Sequence, residues 1–326
     1  MKLSHRRHFM HLAAGAAALP TVSHLAWAET YPMRPVRIVV GFPPGGPSDI
    51  VARLIGQWLS ERLGQPFIIE NRPGASTNIA TEVAVRASAD GYILLLVLPS
   101  AAINATLYDN LHFNFMHEIA PIASIMRAPY VLVINPSVPA KTLPEFISYA
   151  KANPGKITMA SSGIGTGSHV TGELFKITAD VTMLHVPYRG GAPALTDLLG
   201  GLVQAMFESI PSLINHLQVG RLRALAVTTA VRADALPDIP PIGDFLPGFE
   251  ASFWAGLGVA AGTPAEIINK LNGQINAGLA DPKIKARLRD VGGTPLAGSP
   301  ADFGKFIAAE TEKWGRVIRT ANIKPD

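Results

Sequence analysis

The 326-residue sequence predicts an α/β protein with two lobes. Short runs rich in β-branched residues alternate with longer stretches of helical apolar spacing, as in βα units packed on a mostly parallel sheet. A proline-rich segment at 236–247 cannot continue a helix or a central strand, and it therefore predicts a connector between packed bodies. Two glycine-rich turns each follow a predicted strand and precede a predicted helix.

The first predicted strand is Val36–Val40, and a helix is expected over 48–63. The apolar residues of that helix form one stripe, and Gly64 is a typical stop after its last residue. Further strands are expected at 67–70, 93–98, 131–134, 157–160, 183–185, 205–208 and 225–228, with helices between most of them. Each lobe is therefore expected to be a mostly parallel sheet flanked by helices.

The chain is expected to cross between the lobes twice, near 127–130 and in the proline-rich segment. The first lobe would then contain residues 29–128 and 249–326, and the second residues 129–248. The ligand cleft would lie between them. The last helices are thus expected to return to the first lobe.

The first 28 residues have the features of an export signal. Lys2, Arg6 and Arg7 precede an apolar run at 10–19, and residues 26–28 (AWA) supply a signal-peptidase pattern. The arginine pair fits the twin-arginine route as well as the general secretory route, and both stay open. Either route predicts a periplasmic protein. The apolar run is shorter than the roughly 20 residues that span a bilayer, so a soluble mature form is expected. The mature protein is also expected to be a monomer.

Composition excludes several classes of function. The absence of cysteine excludes disulfides, thiolate metal sites and cysteine nucleophiles. The formal charge is +4, but the predicted signal carries three basic and no acidic residues. Its removal leaves 25 basic against 24 acidic residues, so no nucleic-acid partner is expected.

The glycine-rich turns at 41–49 and 161–169 are the candidate binding elements, one in each predicted lobe. Such turns present backbone N–H groups and the positive end of a helix dipole, which favour anions. Neither has the spacing of a P-loop or of a dinucleotide fold, so nucleotides are disfavoured and no cofactor is expected. Two turns facing each other across a cleft can hold the ends of a small carboxylate.

Other chemistry has weaker support. A secreted serine hydrolase using Ser168 or Ser162 with His169 remains an alternative, although no nucleophile-elbow pattern is present. Asp49 is suited to the first turn of a helix or to a ligand. Glu208 ends a predicted strand where a carboxylate has no capping role, so a role facing the ligand or bridging the hinge is expected. The spacing of histidines and acids predicts no metal site.

Ten segments of the chain resemble the periplasmic substrate-binding proteins of tripartite tricarboxylate transporters, the Bug or TctC-like family, over nearly the full length. They are 31–40 (YPMRPVRIVV), 42–49 (FPPGGPSD), 70–74 (ENRPG), 90–92 (DGY), 150–155 (AKANPG), 161–169 (SSGIGTGSH), 185–190 (HVPYRG), 197–201 (DLLGG), 222–226 (LRALA) and 237–240 (PDIP).

The resemblance implies a two-lobed, type II-like Venus-flytrap protein that is not an enzyme. It would capture a small mono-, di- or tricarboxylate and present it to the membrane components of a transporter. A periplasmic sensor that presents ligand to a signalling receptor is the alternative from the same residues. The expected ligand-binding residues are Phe42, Pro44, Gly45, Gly46, Ser48, Asp49, Asn78, Ser100, Ser162, Thr166, Gly167, His169 and Glu208.

Three positions depart from the family pattern. Residues 75–80 (ASTNIA) replace a commoner Gly-Gly-x-Ile-Gly pattern, so Asn78 brings an amide to the site. Glu208 stands where the family usually has Asp, and the first turn begins with Gly41 in place of the usual Pro. These departures are expected to alter ligand specificity.

Overall fold

The computed structural model describes residues 31–325, which form two mixed β-sheets flanked by helices. The predicted export signal lies outside the described residues. Within residues 31–325, no helix combines the length and the apolar character needed to cross a membrane. The two-sheet α/β architecture is the one expected from the sequence.

The strands in chain order are β1 (Val36–Val40), β2 (Phe67–Asn71), β3 (Ile93–Val97), β4 (Ile119–Ala128), β5 (Tyr130–Ile134), β6 (Thr158–Ser161), β7 (Leu184–Pro187), β8 (Ala205–Ser209), β9 (Arg223–Val227), β10 (Phe253–Ala260) and β11 (Thr294–Pro295). The first sheet has the order β11-β4-β10-β3-β1-β2. The second has the order β7-β6-β8-β5-β9.

The helices are α1 (Pro47–Leu63), α2 (Asn78–Val85), α3 (Pro99–Leu107), α4 (Phe115–Glu118), α5 (Leu143–Ala152), α6 (Gly167–Ala179), α7 (Gly191–Leu199), α8 (Ile210–Gln218), α9 (Ala265–Ala280), α10 (Pro282–Asp290) and α11 (Pro300–Thr320). Two 3₁₀ turns lie at Ala75–Thr77 and Ile242–Asp244.

Both sheets are mixed, where mostly parallel sheets were expected. The parallel pairs are β1 with β2 and β3, and β6 with β7 and β8. Strand β10 is antiparallel to β3 and β4, and β5 is antiparallel to β8 and β9. Strands β5 and β10 are the first strands after the chain passes from one sheet to the other, so no crossover helix within the same sheet sets their direction as it does in a βα unit.

Strands β4 and β10 were missed in the sequence because their residue patterns are irregular. Strand β4 contains Pro121, and β10 contains Gly256 and Gly258. A methyl group on Gly256 would lie 2.2 Å from the Phe303 ring, so this glycine permits α11 to pack closely on the sheet. The eight predicted strands are present, with boundaries shifted by up to two residues.

Helix α11 is the main support beneath the first sheet. Its Glu310 carboxylate accepts hydrogen bonds from the buried indole N–H groups of Trp254 (3.1 Å) and Trp314 (2.9 Å). The helix packs on β4 and α3 and also contacts α6, which flanks the second sheet. It therefore links the elements that form the candidate site.

Candidate functional site

A cavity of about 280 Å³ lies between the first turns of α3 and α6. It receives residues from both sheets, and it contains no Lys, Arg, Asp, Glu or His among the lining residues described. The lining residues are Phe42, Ser76, Leu98, Pro99, Ser100, Tyr130, Ser162, Gly163, Ile164, Gly165, Thr166, Gly167 and Phe253. Polarity in this cavity comes from hydroxyl groups and helix N-termini.

The wall on the first-sheet side is formed by the start of α3 and the turn before α2. Thr77 and Ser100 share a buried hydrogen bond of 2.8 Å between their hydroxyls. Ala75, Ser76 and Thr77 have φ angles of 45°, 48° and 77°, a left-handed region that costs non-glycine residues about 1–2 kcal/mol each. Such strain is typical of segments held in place by their surroundings at binding sites.

The buried Asn104 side chain holds this strained turn. Its amide donates to the Ser76 carbonyl at 2.7 Å and to the Asn78 side-chain oxygen at 2.8 Å. Asn78 is buried and lies beside the cavity without lining it. Its amide therefore acts on the site through the shape of the turn.

The wall on the second-sheet side is the glycine-rich turn before α6. The Thr166 hydroxyl donates to the Gly163 carbonyl at 2.7 Å and accepts from the His169 N–H at 3.4 Å, which caps the helix. The first-turn N–H groups of Gly167 and Ser168 have no intrahelical acceptor, as in any α-helix. The helix dipole adds partial positive charge at this wall.

Two glycines in this turn are required by close contacts. A methyl group on Gly167 would lie 2.1 Å from the Tyr130 hydroxyl oxygen, and one on Gly165 would lie 2.4 Å from Leu107 Cδ2. Leu107 belongs to α3, so Gly165 is a point where the two walls meet. Burial raises the pKa of Tyr130, which keeps its hydroxyl protonated and able to donate.

A pair of stacked imidazoles supports the turn from behind. The rings of His169 and His185 are 3.8 Å apart and nearly parallel. His169 Nδ1 accepts from the Gly165 N–H at 3.1 Å, and His185 Nε2 is 2.7 Å from the Ser161 hydroxyl. Burial, followed by the charges of His185 and Lys176, lowers the pKa of His169 to about 3. His169 is therefore a neutral support for the turn and does not line the cavity.

The sequence spacing did not reveal that His169, Glu173 and His185 lie together, with possible ligand atoms within 4.8 Å of one another. The grouping arises because β7 pairs with β6 and carries His185 beneath α6. Parallel stacked rings direct their nitrogen lone pairs side by side, whereas metal ligands converge on one point. Glu173 is also paired with Lys176 at 2.8 Å. The cluster has the geometry of a structural support.

Asp49 organises its own loop and does not line the cavity. Its carboxylate accepts from the Gly45 N–H at 3.0 Å, from Arg53 at 2.8 and 3.0 Å, and from Asn71 at 3.0 Å. Although burial opposes the charge, these hydrogen bonds hold the pKa of Asp49 below its ordinary value. This contact set accounts for Asp49 without a ligand.

Glu208 lies at the end of β8, behind the second-sheet wall. Its Oε1 accepts from the Ser209 N–H at 2.7 Å and from the Ser209 hydroxyl at 2.9 Å. Its Oε2 lies against Gly191, where an added methyl group would be 2.6 Å away. Burial raises the pKa of Glu208, although the two Ser209 contacts lower it.

The structure brings five of the thirteen expected residues into the cavity lining: Phe42, Ser100, Ser162, Thr166 and Gly167. The other eight lie outside it, and a direct ligand contact for them stays a prediction: Pro44, Gly45, Gly46, Ser48, Asn78, Asp49, His169 and Glu208. Outside the glycine-rich turn, the expected set missed Ser76, Leu98, Pro99, Tyr130 and Phe253. The only sequence signal for Tyr130 and Phe253 was their place beside the two predicted crossings.

The serine–histidine arrangement differs from the one that hydrolysis would require. Ser168 accepts from the Ser162 N–H at 3.0 Å and shares a 3.1 Å contact with Thr166, while His169 bonds to Gly165. The hydroxyl that does meet a histidine belongs to Ser161, which is fully buried. A substrate carbonyl in the cavity has no access to that hydroxyl in this conformation.

A second cavity of about 530 Å³ lies beside the segments that connect the sheets. Arg127, Arg232 and Arg289 contribute to its lining, and Arg127 forms an ion pair with Glu250. It is larger than the first cavity, but none of the expected binding turns reaches it. The smaller cavity is therefore the candidate site.

Residues 51–323 match the family described as "TctC: Tripartite tricarboxylate transporter family receptor". Protein BugT of Bordetella pertussis is 35% identical over 300 residues, which cover 91% of this chain and 92% of that protein. The structure of R. palustris Rpa4515 with adipate is 36% identical, has a TM-score of 0.82, and matches 91% of this chain and all of that one. The periplasmic binding protein BugD is 32% identical, with a TM-score of 0.79 over 91% of this chain and all of that one.

Proposed function

Because the chain belongs to the tripartite tricarboxylate transporter receptor family, we propose that it is a solute-binding protein of the bacterial periplasm. It captures a small organic carboxylate and delivers it to the membrane components of such a transporter. The predicted export signal and the similarity to the periplasmic protein BugD support this location.

The observation that carries the proposal is an uncharged cavity facing two helix N-termini. The first turns of α3 and α6 approach it from opposite walls, and Ser100, Tyr130 and Thr166 contribute hydroxyls. Helix N-termini with hydroxyl donors bind carboxylates without a basic side chain. The lining residues described include serine hydroxyls but no histidine or carboxylate that could act as their general base or bind a metal, which supports binding without turnover.

The size of the cavity favours a small ligand. Ligand cavities commonly have volumes of roughly 300–1,000 Å³, and this one has about 280 Å³. Two donor sets on opposite walls suit a ligand with an anionic group at each end. The binding of adipate by Rpa4515 is consistent with a dicarboxylate here.

The two sheets support a two-lobed mechanism of capture. We infer a first lobe of residues 29–128 and 249–326 and a second of 129–248, as the sequence suggests. The first sheet draws its strands from residues 36–128 and 253–295, and the second from residues 130–227. Closure of the lobes on a ligand is a shift between conformations that a membrane partner can recognise. The mature protein acts as a monomer in this proposal.

A thermal-shift screen of the mature protein tests the function. Adipate, malate, citrate, acetate and benzoate are compared with their uncharged amides. A ligand at 100 times its dissociation constant stabilises the folded state by about 2.7 kcal/mol. The expected result is stabilisation by at least one carboxylate, none by its amide, and recovery of the ligand unchanged. Equal stabilisation by the amide would contradict anion capture, and consumption of the ligand would favour the hydrolase.

A further inference from the structure

Glu208 places an acidic group beside a cavity that we propose binds anions. Strand pairing puts Glu208 next to Val131, one residue beyond the cavity-lining Tyr130. Its Oε2 and the Ser162 hydroxyl approach the same side of Gly191, at 2.6 and 3.4 Å from the position of an added methyl group. Glu208 therefore lies directly behind two residues of the cavity wall.

The carboxyl group of Glu208 has no cationic partner among residues 31–325. Its hydrogen bonds come only from the N–H and hydroxyl of Ser209, and it takes part in none of the ion pairs described. The side chain is mostly buried. An ionised carboxylate in such surroundings is costly, and an incoming anion increases that cost because like charges repel in a poorly solvated site.

We propose that Glu208 takes up a proton when the carboxylate ligand binds, so that no second negative charge lies behind the cavity wall that faces the bound anion. This inference rests on the proposed function and states how binding of a carboxylate at the same site is coupled to a proton. The proton comes from solvent and returns to solvent on release. The ionised form of Glu208 disfavours an anion at this wall, so its protonation sets how tightly the site holds a carboxylate.

The other titratable groups around Glu208 are not expected to take up the proton when the ligand binds. Burial raises the pKa of Tyr130 on β5, and burial with Asp197 raises that of Tyr188 to about 12. His169 on α6 stays neutral because its pKa is about 3. The other groups on the elements packed against β8 include the paired Glu173 and Lys176 on α6 and His216 on α8. His185 on β7, the exposed Arg189 before α7, and Glu310 on α11, whose charge reaches Tyr130, are further groups near this wall.

The proposal predicts in which direction the affinity for the ligand changes with pH. If binding raises the pKa of Glu208 further, the complex holds more protons than the free components, and affinity falls as pH rises between the two pKa values. One coupled proton gives at most a tenfold rise in the dissociation constant per pH unit. Glu208→Gln keeps an acceptor for Ser209 but cannot titrate, so it removes the dependence. Glu208→Asp keeps a titrating carboxyl and retains it.

Calorimetric titration with adipate tests the proposal at a series of pH values from just above the ordinary glutamate pKa to about pH 9, in buffers of different ionisation enthalpy. The wild type is expected to take up a fraction of a proton and to lose affinity several-fold across this range. Glu208→Gln is expected to bind at least as tightly at the upper pH, with no proton uptake. His216→Gln, on α8 and outside the cavity lining, is the control for an imidazole elsewhere around the second sheet and should behave as the wild type does.

Two results would overturn the proposal while leaving the proposed function intact: adipate binding with a pH-independent constant, or the same pH dependence in Glu208→Gln. If adipate does not bind at all, adipate is the wrong ligand, and the proposal about Glu208 is tested without it. A carbon-13 NMR titration of the Glu208 carboxyl in the free protein then decides the inference. A midpoint at or below the ordinary value of about 4.3 would overturn it.

Discussion

His169 Nδ1 accepts a hydrogen bond of 3.1 Å from the backbone N–H of Gly165. The acceptor exists only while the imidazole is neutral, and burial keeps it neutral by lowering the pKa to about 3. The conformation of the glycine-rich turn is thus tied to the protonation of a histidine that does not touch the cavity. The stability of the fold should reflect this connection.

We expect the free energy of unfolding to decrease as pH falls from about 6.5 towards about 3. In this window the unfolded chain protonates His169 while the folded chain does not, which costs up to about 1.4 kcal/mol per pH unit. His169→Asn supplies an acceptor that does not titrate and should flatten the profile. Urea unfolding at several pH values measures both curves, and parallel curves would contradict this account of His169.

Gly165→Ala is expected to weaken ligand binding by at least tenfold. The added methyl group would lie 2.4 Å from Leu107 and would hold the two walls of the cavity apart. Gly155 is a matched control, because its φ is also 73° but its methyl position is open. Both variants should lose about 1–2 kcal/mol of stability from left-handed strain.

Of the two single variants, only Gly165→Ala should lose affinity, and the double variant Gly165→Ala/Leu107→Ala should regain part of it. Calorimetric titration of the wild type, the two single variants and the double variant separates the effect of the Leu107 contact from that of backbone strain. Equal affinities for Gly165→Ala and Gly155→Ala would show that the contact with Leu107 plays no part in closure.

Tyr130→Phe is expected to reduce affinity for a carboxylate about three- to tenfold. The variant removes one neutral hydrogen-bond donor, which contributes about 0.5–1.5 kcal/mol, and leaves the ring that packs against Gly167. Tyr149→Phe, on α5 and outside the cavity lining, is the control. Unchanged affinity in Tyr130→Phe would remove its hydroxyl from the binding site.

Ala75→Gly is expected to leave stability unchanged or to raise it by up to about 1 kcal/mol. Relief of the left-handed strain at φ 45° offsets the entropy that glycine loses on folding. Ala80→Gly, inside helix α2, should instead destabilise by at least about 1 kcal/mol, because it also removes a fully buried methyl group. Denaturant unfolding compares the two, and a similar loss in both would show that Ala75 is unstrained.

Local sequence patterns predicted the βα units because their signals lie within one segment: the stripe of α1, its stop at Gly64, and the buried strand β1. Strands β4 and β10, which lie next to the two crossings, were not predicted because their stability comes from partners far along the chain, such as Phe303 against Gly256.

The same distinction applies to the site. The glycine-rich turn before α6 was recognisable from its own residues. The role of Asp49 depends on Asn71, which β2 brings to its carboxylate, and the support of His169 depends on β7 carrying His185 beneath it. Tyr130 reaches the cavity because β5 begins immediately after the crossing from β4. Each of these is a tertiary contact that no local pattern encodes.

The crystal structure of the mature protein with its most stabilising carboxylate is the measurement that tests the central claim most directly. We expect the ligand between α3 and α6, with a carboxylate oxygen within about 3 Å of the first-turn N–H groups at Gly167 and Ser168. Its other end should meet the wall that contains Ser100. A ligand seated instead in the larger cavity beside Arg127, held by arginine side chains, would contradict the claim.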